Sequence, residues 1–317
     1  MVQNEALFER SDGTKLNLYR WIPKSQPKAV LHIVHGMAEH ALRYKRLAEK
    51  LTQAGIEVWA ADQRGHGKTA NLTINKPGKG GLLGHCVDTK GFSVVVKDIY
   101  AINQEIKKTI NAPLFLLGHS WGSFIVQNYI EDFTGDDRHP KLNGCILSGT
   151  KGPGDFIVKI GKPFLTVLAF FRGQRKGSKL AQSMADSKFN LPFKPNRTIF
   201  DWLSRDTEEV DKYIADPLCG FLCSSGFYRD IARILNKIHS VKQMNKINHN
   251  LPMYVFSGNA DPVGDMGVSA TALVNTYRNL GIKDLEFVLY PGARHETLNE
   301  TNREEVMDTL LSWINKH

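Results

Sequence analysis

Short apolar runs alternate with amphipathic stretches along most of the chain. Four such runs precede residue 150 and predict buried strands at 30–34, 56–61, 114–117 and 145–147. The stretch 92–109 carries apolar residues at helical spacing, and further strands are predicted at 253–256 and 285–289. Near the start, segments 6–9 and 16–21 flank a Ser-Asp-Gly turn and predict a hairpin. This alternation is typical of an α/β fold, with a mostly parallel sheet covered by helices on both faces.

The alternation of strands and helices stops after residue 150 and resumes only near residue 246. A segment of this length is too long to be a connecting loop in a compact domain, so we expect it to have structure of its own. The sequence therefore predicts an α/β core made of residues 1–150 and 246–317, with a cap inserted at 151–245.

The positive charge of the chain is concentrated in one segment. Of the formal net charge of +9, most lies in 151–250, where 17 Lys and Arg stand against 9 Asp and Glu. Within 156–180, six basic residues alternate with apolar ones and no acidic residue occurs. An excess this local argues against nucleic-acid binding. Two interpretations stay open, namely contact with an anionic membrane surface, or an apolar helix packed on the core beside a solvated basic loop.

The apolar segments and the cysteines of the chain indicate where the protein is located and whether it binds a metal. The chain starts without an apolar leader and contains no run of 18 apolar residues, so we expect a cytoplasmic protein, with peripheral membrane contact left open. Its four cysteines are too few for a disulfide framework. Cys219 and Cys223 lie four residues apart without a neighbouring histidine, so we expect buried thiols, no metal and no other cofactor. No pattern indicates the oligomeric state.

The segment Gly118-His119-Ser120-Trp121-Gly122 carries the strongest chemical signal in the sequence. It lies between a predicted strand and a predicted helix, which is the context of a nucleophilic serine on a sharp turn. Glycines two residues before and after the serine leave room for the neighbouring strand and helix. We therefore predict that Ser120 is a catalytic nucleophile.

A nucleophilic serine needs a base to take its proton and a carboxylate to orient that base. In this kind of fold the expected order along the chain is serine, acid, histidine. Asp261 and His295 follow Ser120 in that order, and each comes just after a predicted strand. Asp265 is the alternative acid, although it is predicted to lie in the following helix.

An acyl-transfer site also needs two hydrogen-bond donors for the oxyanion of its tetrahedral intermediate. The backbone N–H of Trp121 is one candidate because it directly follows the predicted nucleophile. The N–H of Met37 is the other, since His35-Gly36-Met37 ends an earlier buried strand.

Taken together, these motifs resemble the monoacylglycerol lipase and lysophospholipase branch of the α/β-hydrolases. The resemblance rests on the His35–His40 segment with Arg43-Tyr44, on Asp62–Gly67, on the Ser120 turn and on the loops of Asp261 and His295. It implies an eight-stranded sheet, a Ser-His-Asp triad without a metal, and a lipophilic cap over an acyl pocket.

The same resemblance implies that Glu39 and Arg43 contact the glycerol moiety of the substrate. Trp121 departs from the methionine usual in these lipases, and we expect its side chain to reshape the acyl entrance. Ser123 departs from a common second glycine.

The resulting hypothesis is a serine hydrolase that cleaves lipid-like carboxylic esters, with monoacylglycerol or lysophospholipid as substrate. A small-ester carboxylesterase is one alternative. A serine aminopeptidase is another, because the acidic cluster of Asp206, Glu208, Glu209 and Asp211 in the predicted cap could bind a free amine. A non-catalytic binding protein is the remaining alternative, and an intact triad argues against it.

Overall fold

The sheet of the computed structural model has eight strands. The structure describes residues 2–71, 73–89, 91–136, 138–153 and 173–317. The strands are β1 (Val2–Glu9), β2 (Lys15–Ile22), β3 (Ala29–Val34), β4 (Ile56–Ala61), β5 (Leu114–His119), β6 (Gly144–Ser148), β7 (Met253–Gly258) and β8 (Leu285–Tyr290). Their order across the sheet is β1-β2-β4-β3-β5-β6-β7-β8.

Only strand β2 runs against the direction of the other strands in the described sheet. Strand β2 pairs antiparallel with both β1 and β4, whereas every pairing from β4 to β8 is parallel. The carboxyl ends of β3, β5, β7 and β8 therefore meet along one edge of the sheet, which is where doubly wound folds place their ligands. The structure confirms the predicted α/β class.

Helices follow the strands as the alternation predicts. Those that the structure describes are α1 (Lys45–Gln53), α2 (Gly67–Asn71), α3 (Ser93–Thr109), α4 (Trp121–Phe133), α5 (Lys179–Asn190), α6 (Thr207–Ala215), α7 (Ser225–Ile238), α8 (Val241–Met244), α9 (Val268–Asn279) and α10 (Arg303–Lys316). Short 3₁₀ helices occur at Ala41–Tyr44, Pro77–Lys79, Leu191–Phe193 and Thr297–Asn299. Among the described residues, no helix is both long and apolar enough to span a membrane.

Two apolar clusters cover the two faces of the sheet. Successive residues of β5 alternate between them, so that Leu116 faces α3, α4 and α7 while Leu117 faces α1 and α10. Because β5 is buried on both sides, its sequence is continuously apolar rather than alternating. This central position holds the end of β5, and with it Ser120, in a rigid frame.

The segment between β6 and β7 contains two kinds of structure. Helix α7 packs on α4, and its residues Phe227, Ile234 and Leu235 belong to the main core cluster. A separate small cluster forms around Trp202 and Tyr213, above the carboxyl edge of the sheet. The predicted cap at 151–245 thus includes a helix that is part of the core packing, and residues 154–172 of that prediction lie outside the described residues. The domain boundaries stay a prediction.

Candidate active site

Ser120 sits on a strained turn between β5 and α4. Its backbone angles are φ 53° and ψ −123°, in a region that residues with a side chain rarely adopt. The flanking glycines explain how the turn fits: a Cβ on Gly118 would lie 2.5 Å from the carbonyl oxygen of Gly122. A Cβ on Gly122 would collide in turn with the carbonyl oxygen of Val34. The turn therefore requires glycine on both sides and presents Ser120 beyond the strand end.

His295 and Asp261 form a buried pair on the loops that follow β8 and β7. Nδ1 of His295 lies 2.9 Å from Oδ1 of Asp261, and both side chains are almost completely buried. The carboxylate also accepts hydrogen bonds from the Ser257 hydroxyl at 3.0 Å and from the Val263 amide at 2.9 Å. These bonds fix the carboxylate, which in turn orients the imidazole ring.

The pair shifts the pKa of each partner in the direction that suits a catalytic base and its orienting acid. Burial disfavours the charged form of His295, but the charge of Asp261 and its hydrogen bond outweigh burial and raise the pKa of the imidazole. Burial likewise opposes ionisation of Asp261, yet His295 and the donated hydrogen bonds lower the pKa of this carboxyl. Asp261 therefore stays ionised beside the histidine.

Asp265, the alternative acid, lies elsewhere, in the turn before α9 and not within that helix as we expected. Its carboxylate pairs with Lys151 at 2.9 Å and is 44% exposed. Of the two acids, Asp261 accepts the hydrogen bond from Nδ1 of His295, as its predicted position just after a strand favoured.

Ser120 and His295 line one cavity, together with the loop that follows β3. Gly36 of this loop lies against the serine, so closely that a Cβ there would be 3.2 Å from Cβ of Ser120. The same cavity is lined by Met37, and the N–H groups of Met37 and Trp121 donate to no acceptor within the described part of the chain. Two free donors beside a serine are the arrangement that an oxyanion requires.

The side chain of Trp121 does not lie where we expected it. Its indole ring stacks on His66 with centroids 5.0 Å apart and contacts the rings of Phe92 and Phe227. The ring is 1% exposed and is not part of the cavity wall. The expectation that it reshapes the acyl entrance is therefore wrong, because the first turn of α4 directs this side chain into the core.

Glu39 and Arg43 belong to a buried ionic cluster behind the cavity. Arg43 donates to Glu39 at 2.8 Å and to both oxygens of Glu296 at 2.5 and 2.7 Å. Glu39 also accepts from the hydroxyl of Tyr44 at 2.9 Å. Glu39 and Glu296 line the cavity, whereas Arg43 lies behind them with its guanidinium 4.8 Å from the ring of Tyr213. Burial opposes ionisation of Glu39, but Arg43 reverses the effect and lowers the pKa of this carboxyl.

Three residues of the cavity wall were not predicted from the sequence. Glu296 follows the predicted histidine directly, so its position could have indicated it. The ring of Trp202 lies 5.2 Å from that of His295, and Tyr213 covers Arg43. Both come from the segment between β6 and β7, where no periodic pattern marks them.

A mostly parallel eight-stranded sheet, a serine on a strained strand-to-helix turn and a buried His-Asp pair at the same edge define the class of α/β-hydrolases with a serine nucleophile. The family model described as serine aminopeptidase, S33, matches residues 25–302. The chain therefore belongs to the serine aminopeptidase S33 family of hydrolases.

Several relatives are similar to this protein over nearly the whole chain. The monoacylglycerol lipase of Mycolicibacterium smegmatis is 27% identical over 315 residues, covering 99% of this chain and 98% of the relative. The monoglyceride lipase of Rattus norvegicus is 27% identical, covering 96% of this chain and 87% of the relative. The structure of a thermostable carboxyl esterase from Bacillus coagulans in complex with glycerol superposes with a TM-score of 0.87 at 26% identity, covering 100% and 99% of the two chains. These matches confirm the resemblance found in the motifs.

Proposed function

We propose that this protein hydrolyses the ester bond of monoacylglycerols through an acyl-enzyme on Ser120. The observation that carries the proposal is the cavity itself, which Ser120 shares with His295, while Asp261 orients the imidazole from behind at 2.9 Å. Relatives named monoacylglycerol or monoglyceride lipase support the same chemistry.

Acylation follows from the roles of the three side chains. Nε2 of His295 takes the proton of the Ser120 hydroxyl while Oγ attacks the ester carbonyl carbon. The oxyanion accepts hydrogen bonds from the N–H groups of Met37 and Trp121, the latter at the N-terminus of α4, where the helix dipole favours negative charge. His295 then gives its proton to the departing glycerol oxygen.

Deacylation repeats the same steps with water, in place of the Ser120 hydroxyl, as the nucleophile. His295 removes a proton from the water, which attacks the acyl carbon, and Ser120 recovers its proton as the fatty acid leaves. Asp261 remains ionised throughout and stabilises the imidazolium form of His295 in both halves of the reaction.

The cavity wall suits a substrate with an apolar chain and a small polar end. Its apolar and aromatic members include Met37, Phe200, Trp202, Leu203, Phe221 and Tyr228. Its polar members include Glu39 and Glu296, whose carboxylates are held by Arg43 and can still accept hydrogen bonds from hydroxyl groups. In this proposal Glu39 contacts the glycerol hydroxyls, and Arg43 acts by positioning the two carboxylates.

The acidic cluster considered for an aminopeptidase is engaged elsewhere. Asp206 caps α6 and pairs with Arg303, Glu209 pairs with Arg46, and Asp211 pairs with Arg197. None of the four cluster residues lines the cavity. The two carboxylates that do line it, those of Glu39 and Glu296, are both hydrogen-bonded to Arg43. A free amine therefore meets no unpaired carboxylate among the described residues, and ester hydrolysis is favoured.

Contact between the stretch 156–180 and an anionic membrane stays a prediction. Most of this stretch lies outside the described residues, and Arg175 at its end pairs with Asp88. Sedimentation of the purified protein with phosphatidylglycerol vesicles at increasing salt would test it. Binding that weakens as salt increases would support membrane contact. If the protein binds neither phosphatidylglycerol vesicles nor neutral vesicles, the prediction is contradicted.

The assignment of Ser120 is tested by Ser120→Ala, with Ser312→Ala on the exposed face of α10 as a matched control. We expect Ser120→Ala to lose fluorophosphonate labelling and to lower turnover of monoacylglycerols by at least about 10⁴-fold with its fold intact. The control should retain both. Turnover that persists in Ser120→Ala would contradict the proposal.

The substrate class is tested by comparing kcat/KM on four sets of compounds. These are monoacylglycerols of several chain lengths, lysophospholipids, short p-nitrophenyl esters and amino-acid p-nitroanilides. We expect the highest values for monoacylglycerols. A preference for short esters, lysophospholipids or anilides would contradict the proposed substrate but would be compatible with the proposed triad.

A further inference from the structure

Three residues that are far apart in the sequence meet beside the active site. Nε2 of His40 lies 2.9 Å from Oδ2 of Asp216, although 176 positions separate the two residues. Cys219 joins them as a free thiol, and one ligand atom from each of the three lies within 4.8 Å of the others. The sequence showed no histidine near this cysteine; the fold supplies one from the loop after β3.

The chemistry of the cluster points to a particular class of metal. An imidazole nitrogen, a thiolate sulfur and a carboxylate oxygen together are ligands typical of zinc, whereas magnesium and calcium take oxygen ligands. Around a tetrahedral zinc ion, bond lengths of about 2.0–2.3 Å place neighbouring ligand atoms about 3.3–3.8 Å apart. The three ligand atoms now lie within 4.8 Å of one another, so metal binding would draw them together by up to about 1 Å.

An ion can reach the cluster from solvent. His40 and Asp216 line an open groove outside the active-site cavity, and the Asp216 side chain is 32% exposed. Arg43 lines the same groove, but its guanidinium is already shared between Glu39 and Glu296. Because the groove is lined by other cations as well as by carboxylates, the affinity for an ion would come from the three ligands rather than from the net charge around them.

We propose that His40, Asp216 and Cys219 bind one Zn²⁺ ion, with water in the fourth position. On binding, the Cys219 thiol loses its proton to solvent and a sulfur–zinc bond forms. Nε2 of His40 gives up the proton that it donates to Asp216, so that the neutral imidazole carries its one proton at Nδ1, and Nε2 and a carboxylate oxygen of Asp216 then bind the metal in place of their hydrogen bond. The fourth position stays open to the groove.

The site would fasten two segments that border the active site. The loop of His40 contains Met37 and Ala38, and the Ala38 carbonyl already accepts hydrogen bonds from the Gly220 amide and the Tyr213 hydroxyl, each at 2.9 Å. Zinc would add a stronger link between the same two segments. We therefore expect zinc to slow ester hydrolysis by restricting the cavity wall; this consequence rests on the proposed function, whereas zinc binding does not.

Binding is tested with Co²⁺ as a spectroscopic probe on the purified, full-length protein. We expect one equivalent of Co²⁺ to produce a thiolate-to-metal charge-transfer band and visible absorption of a tetrahedral site, and Zn²⁺ to displace it. Cys219→Ser should abolish the charge-transfer band, and Asp216→Asn should weaken binding by at least about 10–100-fold. Circular dichroism establishes whether each variant is folded. If Cys219→Ser does not fold, Cys219→Ala is used in its place.

A second cluster provides the matched control. Asp284, Glu286 and His317 also lie within ligand distance of one another, but they contain no thiol. His317→Ala should leave the cobalt spectrum unchanged. The proposal is overturned if no charge-transfer band appears, if the band survives removal of Cys219, or if it disappears in His317→Ala.

The effect on activity is measured separately. We expect Zn²⁺ to inhibit the wild-type protein and the Cys219→Ser variant to lose this sensitivity while it retains the ability to react with a fluorophosphonate. If zinc binds without inhibiting the enzyme, the metal site is supported but its proposed effect on the cavity wall is contradicted. Absence of any ester turnover would contradict the proposed function and leave the spectroscopic result valid.

Discussion

Replacing Arg43 by methionine tests whether the ionic cluster behind the cavity is a structural support. Arg43 is the one cation shared by the carboxylates of Glu39 and Glu296 in the described structure. The side chains are 11%, 5% and 6% exposed, respectively. Methionine keeps much of the volume but leaves two buried carboxylates without their partner, which is the costly way to break a buried ion pair.

The magnitude follows from burial, and a nearby arginine supplies the control. Removing one partner from a buried pair costs about 3–5 kcal/mol of unfolding free energy. Arg46 makes a bond of the same length, 2.8 Å, to Glu209, but its side chain is 38% exposed. Arg46→Met should therefore cost about 0–1 kcal/mol, as exposed pairs do. The two variants make the same chemical change three residues apart.

The pH dependence of the Arg43→Met effect has a definite sign. In the wild-type protein the pKa of Glu39 is lowered in spite of burial, so this group contributes stability above its unfolded pKa that is lost as pH falls through its folded pKa. Without Arg43, burial is opposed only by His119 and by the hydrogen bonds from Gly36 and Tyr44, so the pKa of Glu39 should be higher than in the wild-type protein. The difference in stability between wild type and Arg43→Met should therefore be largest near pH 8 and shrink toward pH 4.5.

The assay is equilibrium unfolding in urea at pH 8 and pH 5 for both variants. Adding Glu296→Gln to Arg43→Met should recover part of the lost stability, because one uncompensated charge is removed. The reasoning is refuted if Arg43→Met and Arg46→Met differ by less than about 1 kcal/mol at pH 8, or if the Arg43→Met effect grows as pH falls.

Three further predictions concern single titratable groups. Asp261→Asn should lower kcat by about 10⁴-fold while Asp265→Asn changes it little, as steady-state kinetics will measure. Because His295 must be neutral to act as a base and its pKa is raised, the acid limb of kcat/KM should lie above pH 6.5; a limb at or below this value would contradict the role of Asp261. Burial raises the pKa of Glu131, which has no partner among the described residues, to about 9. Stability should therefore fall as pH rises from about 4.5 to about 9, and Glu131→Gln should gain about 3 kcal/mol at pH 7 in urea unfolding, whereas the paired neighbour variant Asp132→Asn should gain none.

The strands of the central sheet were predictable because burial on both faces leaves a continuous apolar signature. The hairpin strands were predicted too short, at 6–9 and 16–21, whereas the structure extends them to Val2–Glu9 and Lys15–Ile22. Strand β1 lies at the edge of the sheet and most of its described side chains are exposed. Polar residues are tolerated there, so the alternation that marks a half-buried strand is lost near its start.

The candidate triad was predictable because each member directly follows a strand, and parallel strands bring their carboxyl ends together. The cluster of Arg43 with Glu296 joins residues 253 positions apart, and that of His40 with Asp216 joins residues 176 positions apart. Such contacts depend on how the segment between β6 and β7 folds back over the sheet, which no local pattern in that segment specifies.

The part of this segment around residues 202–220 is tied to both loops of the candidate site. The amides of His295 and Glu296 donate to the carbonyls of Trp202 and Leu203 at 3.4 and 2.8 Å. On the other side, Gly220 donates to Ala38 of the loop after β3 at 2.9 Å. A movement of residues 202–220 away from the sheet would therefore break bonds that hold the loop of His295 and the loop after β3. We therefore expect that substrate reaches Ser120 without displacing residues 202–220, which would then form a fixed wall of the candidate active site.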